Sequence, residues 1–329
     1  MKALVTGSSG HLGEALMRTL AARGDDAKGL DILASPFTTQ VGSVADRETV
    51  RAAMAGAEVV FHAATLHKPH VATHTRQDFI DTNITGTLNL LEEAAAAGVR
   101  AFVFTSTTSV FGDALTPGPG EPAAWITEAV APRPRNIYGV TKAAAEDLCQ
   151  LFHRNQKLNV LVLRTSRFFP EEDDSKQARA GHGDANLKAN EYLHRRVALE
   201  DVVSAHLAAA ERAGDIGFGK YIISATSPFT PDDRGALTLD PAAIVRAHVP
   251  QFEAEYARRG WTLPASIGRV YVNDQARREL GWAPRHDFAS VLERLMAGGE
   301  VLDPLAVAVG AKGYHGTVFA DGPYPVDHG

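Results

Sequence analysis

The stretch Lys2-Ala3-Leu4-Val5-Thr6-Gly7-Ser8-Ser9-Gly10-His11-Leu12-Gly13 decides how the chain reads. Lys2–Val5 is a short apolar strand. Leu12–Arg23 is a helix, because Leu12, Leu16 and Leu20 recur every four residues on one face. Between them stand three glycines in the order G-x-x-G-x-x-G. Glycine at these places permits a tight turn, a close backbone approach and close helix–strand packing, while the unpaired N–H groups of the helix start face an anion. Glycines also mark ordinary turns. What favours a dinucleotide cradle is the position, directly between an apolar strand and a helix.

Outward from this stretch, strand and helix alternate. Strands are expected at about Ala27–Ile32, Val59–Ala63, Ala101–Ser106 and Val160–Leu163, and helices at Arg47–Ala55, Asn83–Ala97 (closed by Gly98) and Lys142–His153. This rhythm predicts an α/β fold with a parallel sheet, right-handed crossovers and helices on both faces. Asp31 ends the second strand, where a carboxylate accepts hydrogen bonds from adenosine ribose hydroxyls and repels a 2′-phosphate. With no arginine following it, the cofactor expected is NAD rather than NADP. Past Arg164 the pattern loosens. Pro170–Asn190 is polar and aperiodic and reads as loop, and the acidic run Glu171–Asp174 reads as solvated. Asp201–Ala213 reads as helix, Tyr221–Ser224 as strand, Asp287–Met296 as helix, and the Gly- and Pro-rich Gly310–Gly329 as a strap.

Composition narrows the classes. The 329 residues are 45% hydrophobic and 22% charged, ordinary for a globular protein with a sizeable core. A net charge of −6 without a basic tract argues against a nucleic-acid partner. No apolar run approaches the roughly 18 residues of a membrane span, and the early glycines leave no room for a signal peptide. The lone Cys149 cannot form an internal disulfide, so a cytoplasmic setting is expected.

Tyr138-Gly139-Val140-Thr141-Lys142 places a phenol and an amine one helical turn apart, on one face. A free tyrosine titrates near about 10, but a neighbouring ammonium and a pyridinium both favour the phenolate, which then exchanges a proton with an alcohol. The strand Ala101–Ser106 runs into Thr107-Thr108-Ser109, setting hydroxyls at the sheet edge where ligands bind. Either element alone also has a bland reading, a helix face and a Ser/Thr turn.

Together the glycine loop, Phe104-Thr-Ser-Thr-Thr-Ser-Val-Phe-Gly112, Tyr138–Lys142 and Leu163-Arg164 resemble the extended short-chain dehydrogenase/reductases, the NAD-dependent epimerase/dehydratase family, over about residues 1–225. DQARRELGW at Asp274–Trp282 is a weaker echo. The resemblance implies a Rossmann-type doubly wound parallel sheet with a smaller mixed α/β C-terminal substrate domain. Residues 1–165, with 200–225 returning, would bind NAD, and 166–329 would form a discontinuous cap. It makes Tyr138 the acid/base, Lys142 its partner and nicotinamide-ribose ligand, and Thr107 the catalytic Ser/Thr. Gly7, Gly10, His11, Leu12 and Gly13 would hold pyrophosphate. Asp31 and Ile32 would hold ribose, Ser43 and Val44 would flank adenine, and Ala63, Ala64 and Asn83 would line the cofactor. It also implies a homodimer formed through helices near Asn83–Ala97 and Tyr138–Phe152.

Where the family's dehydratases carry Asp-Glu after the catalytic Thr, Thr108-Ser109 stand here, which disfavours dehydration. Arg167 and Phe169-Pro170 replace the usual Asn and Gly-Pro, and the segment from Arg164 to Asp201 is short for clasping a nucleoside diphosphate. Candidate substrate contacts are Thr65, His67, Thr108, Arg167, Asn186, Arg196 and Arg269, with Arg195 a further partner for a carboxylate or phosphate. His62, His67, His70 and His74 match no standard metal spacing, so no metal is expected. The expected activity is NAD-dependent epimerisation of a secondary alcohol on a sugar or nucleotide-sugar-like substrate through a keto intermediate. A sugar or uronate dehydrogenase releasing NADH and a non-catalytic NAD sensor are the alternatives.

Overall fold

The computed structural model describes residues 1–173, 175–313 and 319. Its strands are β1 (Lys2–Thr6), β2 (Asp26–Asp31), β3 (Gln40–Val41), β4 (Val59–His62), β5 (Ala101–Thr107), β6 (Ala124–Ile126), β7 (Val160–Thr165), β8 (Phe218–Ile223) and β9 (Arg269–Tyr271). Seven of them form one parallel sheet in the order β3-β2-β1-β4-β5-β7-β8, and β6 pairs with β9 in a separate parallel ribbon.

The sheet is apolar on both faces, which explains the near-continuous Val, Leu and Phe runs of its strands. Side chains alternate: Ala3, Val5, Phe61, Val103, Leu161 and Leu163 join the helices His11–Ala22 and Leu199–Ile216 in one core. Leu4, Val60, Phe102, Phe104, Val160 and Val162 join Arg47–Met54, Gly86–Ala97 and Ile137–Gln156 in the other. From β1 the chain first moves outward to β2 and β3, then returns to lay β4 on the other side of β1. That reversal opens a crevice at the strands' C-terminal ends. A third core, with Tyr192, Phe229, Tyr256, Val270, Phe288 and Leu292, sits apart from the sheet.

Several elements differ from the sequence expectation. The helix expected from Asn83 begins a full two turns earlier at Arg76, where Thr75 and Asp78 cap each other, and Ile80–Thr85 forms a wider π-helical turn before Gly86–Ala97. Pro170–Asn190 is not all loop: Lys176–Gly181 and Asp184–Glu191 are helices. The second hid from periodicity because the residues it buries are largely polar. The Asn186 and Asn190 amides donate to Thr262 O at 3.0 and 2.9 Å, and Glu191 is ion-paired. The acidic run is not wholly solvated either: Asp173 is buried against Arg195 and Glu171 half-buried against His11, while Glu172 is exposed. Asp174, and the strap residues 314–318 and 320–329, lie outside the described residues.

One buried ion pair ties the sheet to the helix Ile137–Gln156. Arg164 on β7 donates to Glu146 at 2.7 and 3.0 Å, and Ser106 on β5 donates to the same carboxylate at 2.6 Å. Both partners are essentially inaccessible, at 3% and 1% exposure. Removing one leaves the other charged in a low-dielectric interior, which costs about 3–5 kcal/mol. Arg164→Met is therefore expected to lower the urea-unfolding free energy by that order. A loss below about 1 kcal/mol would mean that the pair behaves like a surface one.

Candidate active site

The crevice is a cleft of about 660 Å³ walled by loops from the C-terminal ends of β1, β2, β4, β5 and β7. Its first wall is the glycine loop. Gly7 adopts φ +72°, a left-handed conformation natural to glycine, and a Cβ there would meet Ala64 N at 2.8 Å. A Cβ on Gly13 would lie 1.8 Å from Gly7 O, so the helix His11–Ala22 docks where only a hydrogen fits. The cradle thus has the close backbone approach that a dinucleotide pyrophosphate needs, with N–H groups of the helix start turned to it. Gly10, His11, Leu12, Asp31, Ile32, Ser43, Val44, Ala63 and Ala64 line the same cleft. The Asp31 carboxylate accepts from Ser9 N at 3.0 Å and Leu33 N at 2.9 Å, which fixes it beside the loop.

Behind the wall the support is polar. Asn83 does not itself reach the cleft surface. Its amide accepts from Leu66 N at 2.9 Å and donates to Thr141 Oγ1 at 3.0 Å, tying the loop after β4 to the tyrosine helix. His11 pairs with Glu171 at 2.7 Å, and Glu171 also accepts from Lys312 N at 2.9 Å. A single carboxylate therefore joins the glycine loop, the segment after β7 and the chain beyond Gly310. Sequence reasoning missed this role for Glu171, which no local pattern signals.

The floor carries Thr107 and Tyr138, two of the residues singled out for chemistry, and Lys142 lies behind it, outside the lining. Asn136 caps the helix Ile137–Gln156, so Tyr138 and Lys142 fall within its first turns, both buried. Thr107 ends β5, accepts from Ser109 N at 3.1 Å and lines the cleft together with Tyr138. Burial dominates the electrostatics. Removal from water pushes the phenol up to about 12, against a smaller lowering by the Thr107 hydroxyl. Burial likewise pulls the Lys142 ammonium down to about 7, opposed by Cys149 and Glu146, and its Nζ sits 4.0 Å over the Phe104 ring. Burial, rather than the amine one turn away, is the largest influence on the phenol here, because both groups are dry.

The remaining candidates divide. Thr65, His67, Thr108, Arg167, Arg195 and Arg269 line the cleft, with Phe168, Phe169, Asn136 and Tyr271 beside them. His67 stacks on Phe169 at 5.3 Å and lies 6.5 Å from the Tyr138 ring. Asn186 and Arg196 are not on the wall. Asn186 bonds Thr262 as above, and Arg196 is a buried partner of Glu191 at 2.7 Å, so both are spent on contacts of the helix Asp184–Glu191.

Two outcomes follow. Gly13→Ala is expected to abolish saturable dinucleotide binding in a calorimetric titration while the circular dichroism stays native; unchanged affinity would refute the close-approach argument. The second concerns pH. With Lys142 at about 7 folded and near the ordinary lysine value unfolded, the unfolded chain holds more protons above pH 7, so this group makes stability rise with pH. Between about pH 7 and 9 the wild-type unfolding free energy should gain up to roughly 1 kcal/mol per pH unit relative to Lys142→Met. Parallel profiles for the two proteins would contradict it.

Comparison with known proteins agrees with this architecture. Residues 3–221 match the NAD dependent epimerase/dehydratase family. The 3-beta-hydroxysteroid dehydrogenase of Mycolicibacterium neoaurum is 27% identical over 86% of this chain and 87% of its own length. The UDP-glucose 4-epimerase of Rhizobium meliloti (strain 1021) is 26% identical over 88% of this chain and 94% of its own. A short-chain dehydrogenase/reductase superfamily protein from Agrobacterium tumefaciens, crystallised with NAD, shares the fold with a TM-score of 0.64 and 22% identity, covering 91% of this chain and 98% of that one. The glycine cradle, the parallel sheet and the match over two thirds of the sequence make this chain a member of the NAD dependent epimerase/dehydratase family, whose cofactor is NAD.

Proposed function

We propose that the chain oxidises a secondary alcohol of a hydroxyl-rich, sugar-like substrate, with Tyr138 as the acid/base. The observation that carries this reading is that the Thr107 and Tyr138 hydroxyls line the floor of one cleft, with Lys142 one helical turn on from Tyr138. NAD, held by the glycine loop and Asp31, supplies the hydride acceptor. Thr107 fixes the reacting oxygen, and Tyr138 accepts its proton as the carbinol C–H bond breaks and the C=O bond forms. Lys142, poised near neutrality one turn along the helix, relays the proton and would hold the nicotinamide ribose when the cofactor is bound. A positive charge entering the cleft lowers the cost of the phenolate that burial has imposed.

The lining supports a sugar-like substrate. Thr65, Thr108, Ser109, Thr116 and Asn136 offer hydroxyl and amide partners, while Phe168, Phe169 and Leu115 offer apolar surface to a ring face. Thr108 and Ser109 carry no carboxylate beside Thr107, which speaks against elimination of water. The ketone either leaves, with NADH exchanging, or turns over and takes the hydride back on its other face, as the sequence reading favours. The third core, around Tyr192 and Phe288, would act as the cap that closes on the substrate.

Tyr138→Phe tests the reading. Turnover in a screen of sugars, uronic acids and nucleotide sugars is expected to fall about 10²–10⁴-fold, with NAD affinity unchanged. Net NADH identifies the dehydrogenase, and isomerised product without it the epimerase. Equal rates for the two proteins would remove Tyr138 as the base, and a wild type that binds NAD but turns nothing over would leave a sensor.

A further inference from the structure

Where the cleft is walled by the end of β7, the residues before helix Leu199–Ile216 and β9, three guanidinium groups crowd around two carboxylates, and a fourth, that of Arg269, lines the same wall. Glu191 takes Arg195 at 2.8 Å and Arg196 at 2.7 Å, with Arg167 at 3.8 Å. Asp173 takes Arg195 at 3.1 Å and Arg167 at 3.8 Å. Both acids are buried, and both are ion-paired to arginines of this group. Glu172, also on this wall, meets Arg167 through its carbonyl at 2.8 Å.

Arg269 is left over. It opens β9 and lines the cleft, yet among the described residues its guanidinium makes no hydrogen bond and no ion pair. Its Nε is shut off from solvent without a partner, and its nearest ring, Tyr271, is 6.0 Å away. An arginine has five donors and no acceptor, so a half-buried one without an acceptor carries an unmet desolvation cost. The surroundings are positive as well. Burial, then Arg195 and Arg269, pull the neighbouring His194 down to about 3.

We propose that this wall binds an anionic substituent of the substrate, a carboxylate or a phosphate, with Arg269 as its principal partner and Arg167 and Arg195 at its sides. The planar fork of Arg269 matches either group with two parallel N–H···O bonds. The inference rests on the cleft being the alcohol-oxidising site, and it narrows the substrate to an acidic one. An anchored anion also fixes which hydroxyl can reach Tyr138 and Thr107.

The test uses the full chain saturated with NAD, so that the glycine loop is occupied, and follows Tm and calorimetric binding. The probes are glucose, glucuronate, glucose 6-phosphate, UDP-glucose and inorganic phosphate. At least one anionic probe is expected to bind more tightly than glucose. In Arg269→Met that affinity should weaken by about tenfold or more, as for a charge-assisted bond. Arg269→Lys should fall between, and Arg246→Met on the exposed surface should match wild type. A response confined to glucuronate names a carboxylate, one shared by phosphate and glucose 6-phosphate names a phosphate monoester, and one confined to UDP-glucose names a diphosphate. Equal binding by wild type and Arg269→Met, or no response to any anion, overturns the inference. A Tm rise with NAD in the variant shows that it has folded, and failure of NAD alone to raise the wild-type Tm would instead sink the function proposed above.

Discussion

Tyr138 on the floor of the cleft and Lys142 behind it share a dry helix face, and the rest of the site depends on that removal from water. Desolvation raises the phenol to about 12 and lowers the amine to about 7, so near neutrality the phenol keeps its proton while the amine is in mid-titration. A base kept neutral until a positive charge arrives cannot scatter protons into an empty cleft. The same dryness strengthens every later electrostatic contact, because charges interact more strongly where water is excluded. The fold keeps the floor dry by burying the sheet on both faces and stopping the apolar runs of β4, β5 and β7 just short of the cleft.

Holding the floor in register is the task of polar contacts that make no contact with the cleft themselves. Glu146 lies one turn beyond Lys142 and is bound by Arg164 and Ser106, so the tyrosine helix, β7 and the end of β5 that carries Thr107 move as one body. Asn83 does the same between the loop after β4 and Thr141. These buried polar groups take their partners from distant segments, which makes them specific to this arrangement and costly to disturb.

Much of the fold was legible because it rests on local rules. The strand–glycine–helix opening, the alternation of apolar strands with helices and the Tyr-x-x-x-Lys spacing are all written within short windows. What escaped was written at long range. Asp184–Glu191 buries asparagines, a lysine and a glutamate, so an apolar periodicity could not find it, and its satisfaction comes from Thr262, Asp184 and the arginines after it. Glu171 and Asp173 looked like a solvated run because their partners, His11 and Arg195, are remote or lie on another element. The helix before Asn83 was within reach of sequence, since Thr75-x-x-Asp78 is a capping box, but the π-helical turn interrupts the period that would have extended it. Asn186 and Arg196 looked like substrate ligands by type and prove to be structural by place.

The central claim is that burial, and not the neighbouring amine, sets the ionisation of Tyr138. Ultraviolet difference titration of wild type against Tyr138→Phe isolates this phenol. Without NAD its ionisation should be absent through the ordinary tyrosine range and emerge toward about 12, and addition of NAD should move it downward by about one unit or more, the scale of one nearby charge. A phenolate signal at the ordinary tyrosine value, indifferent to NAD, would contradict the account.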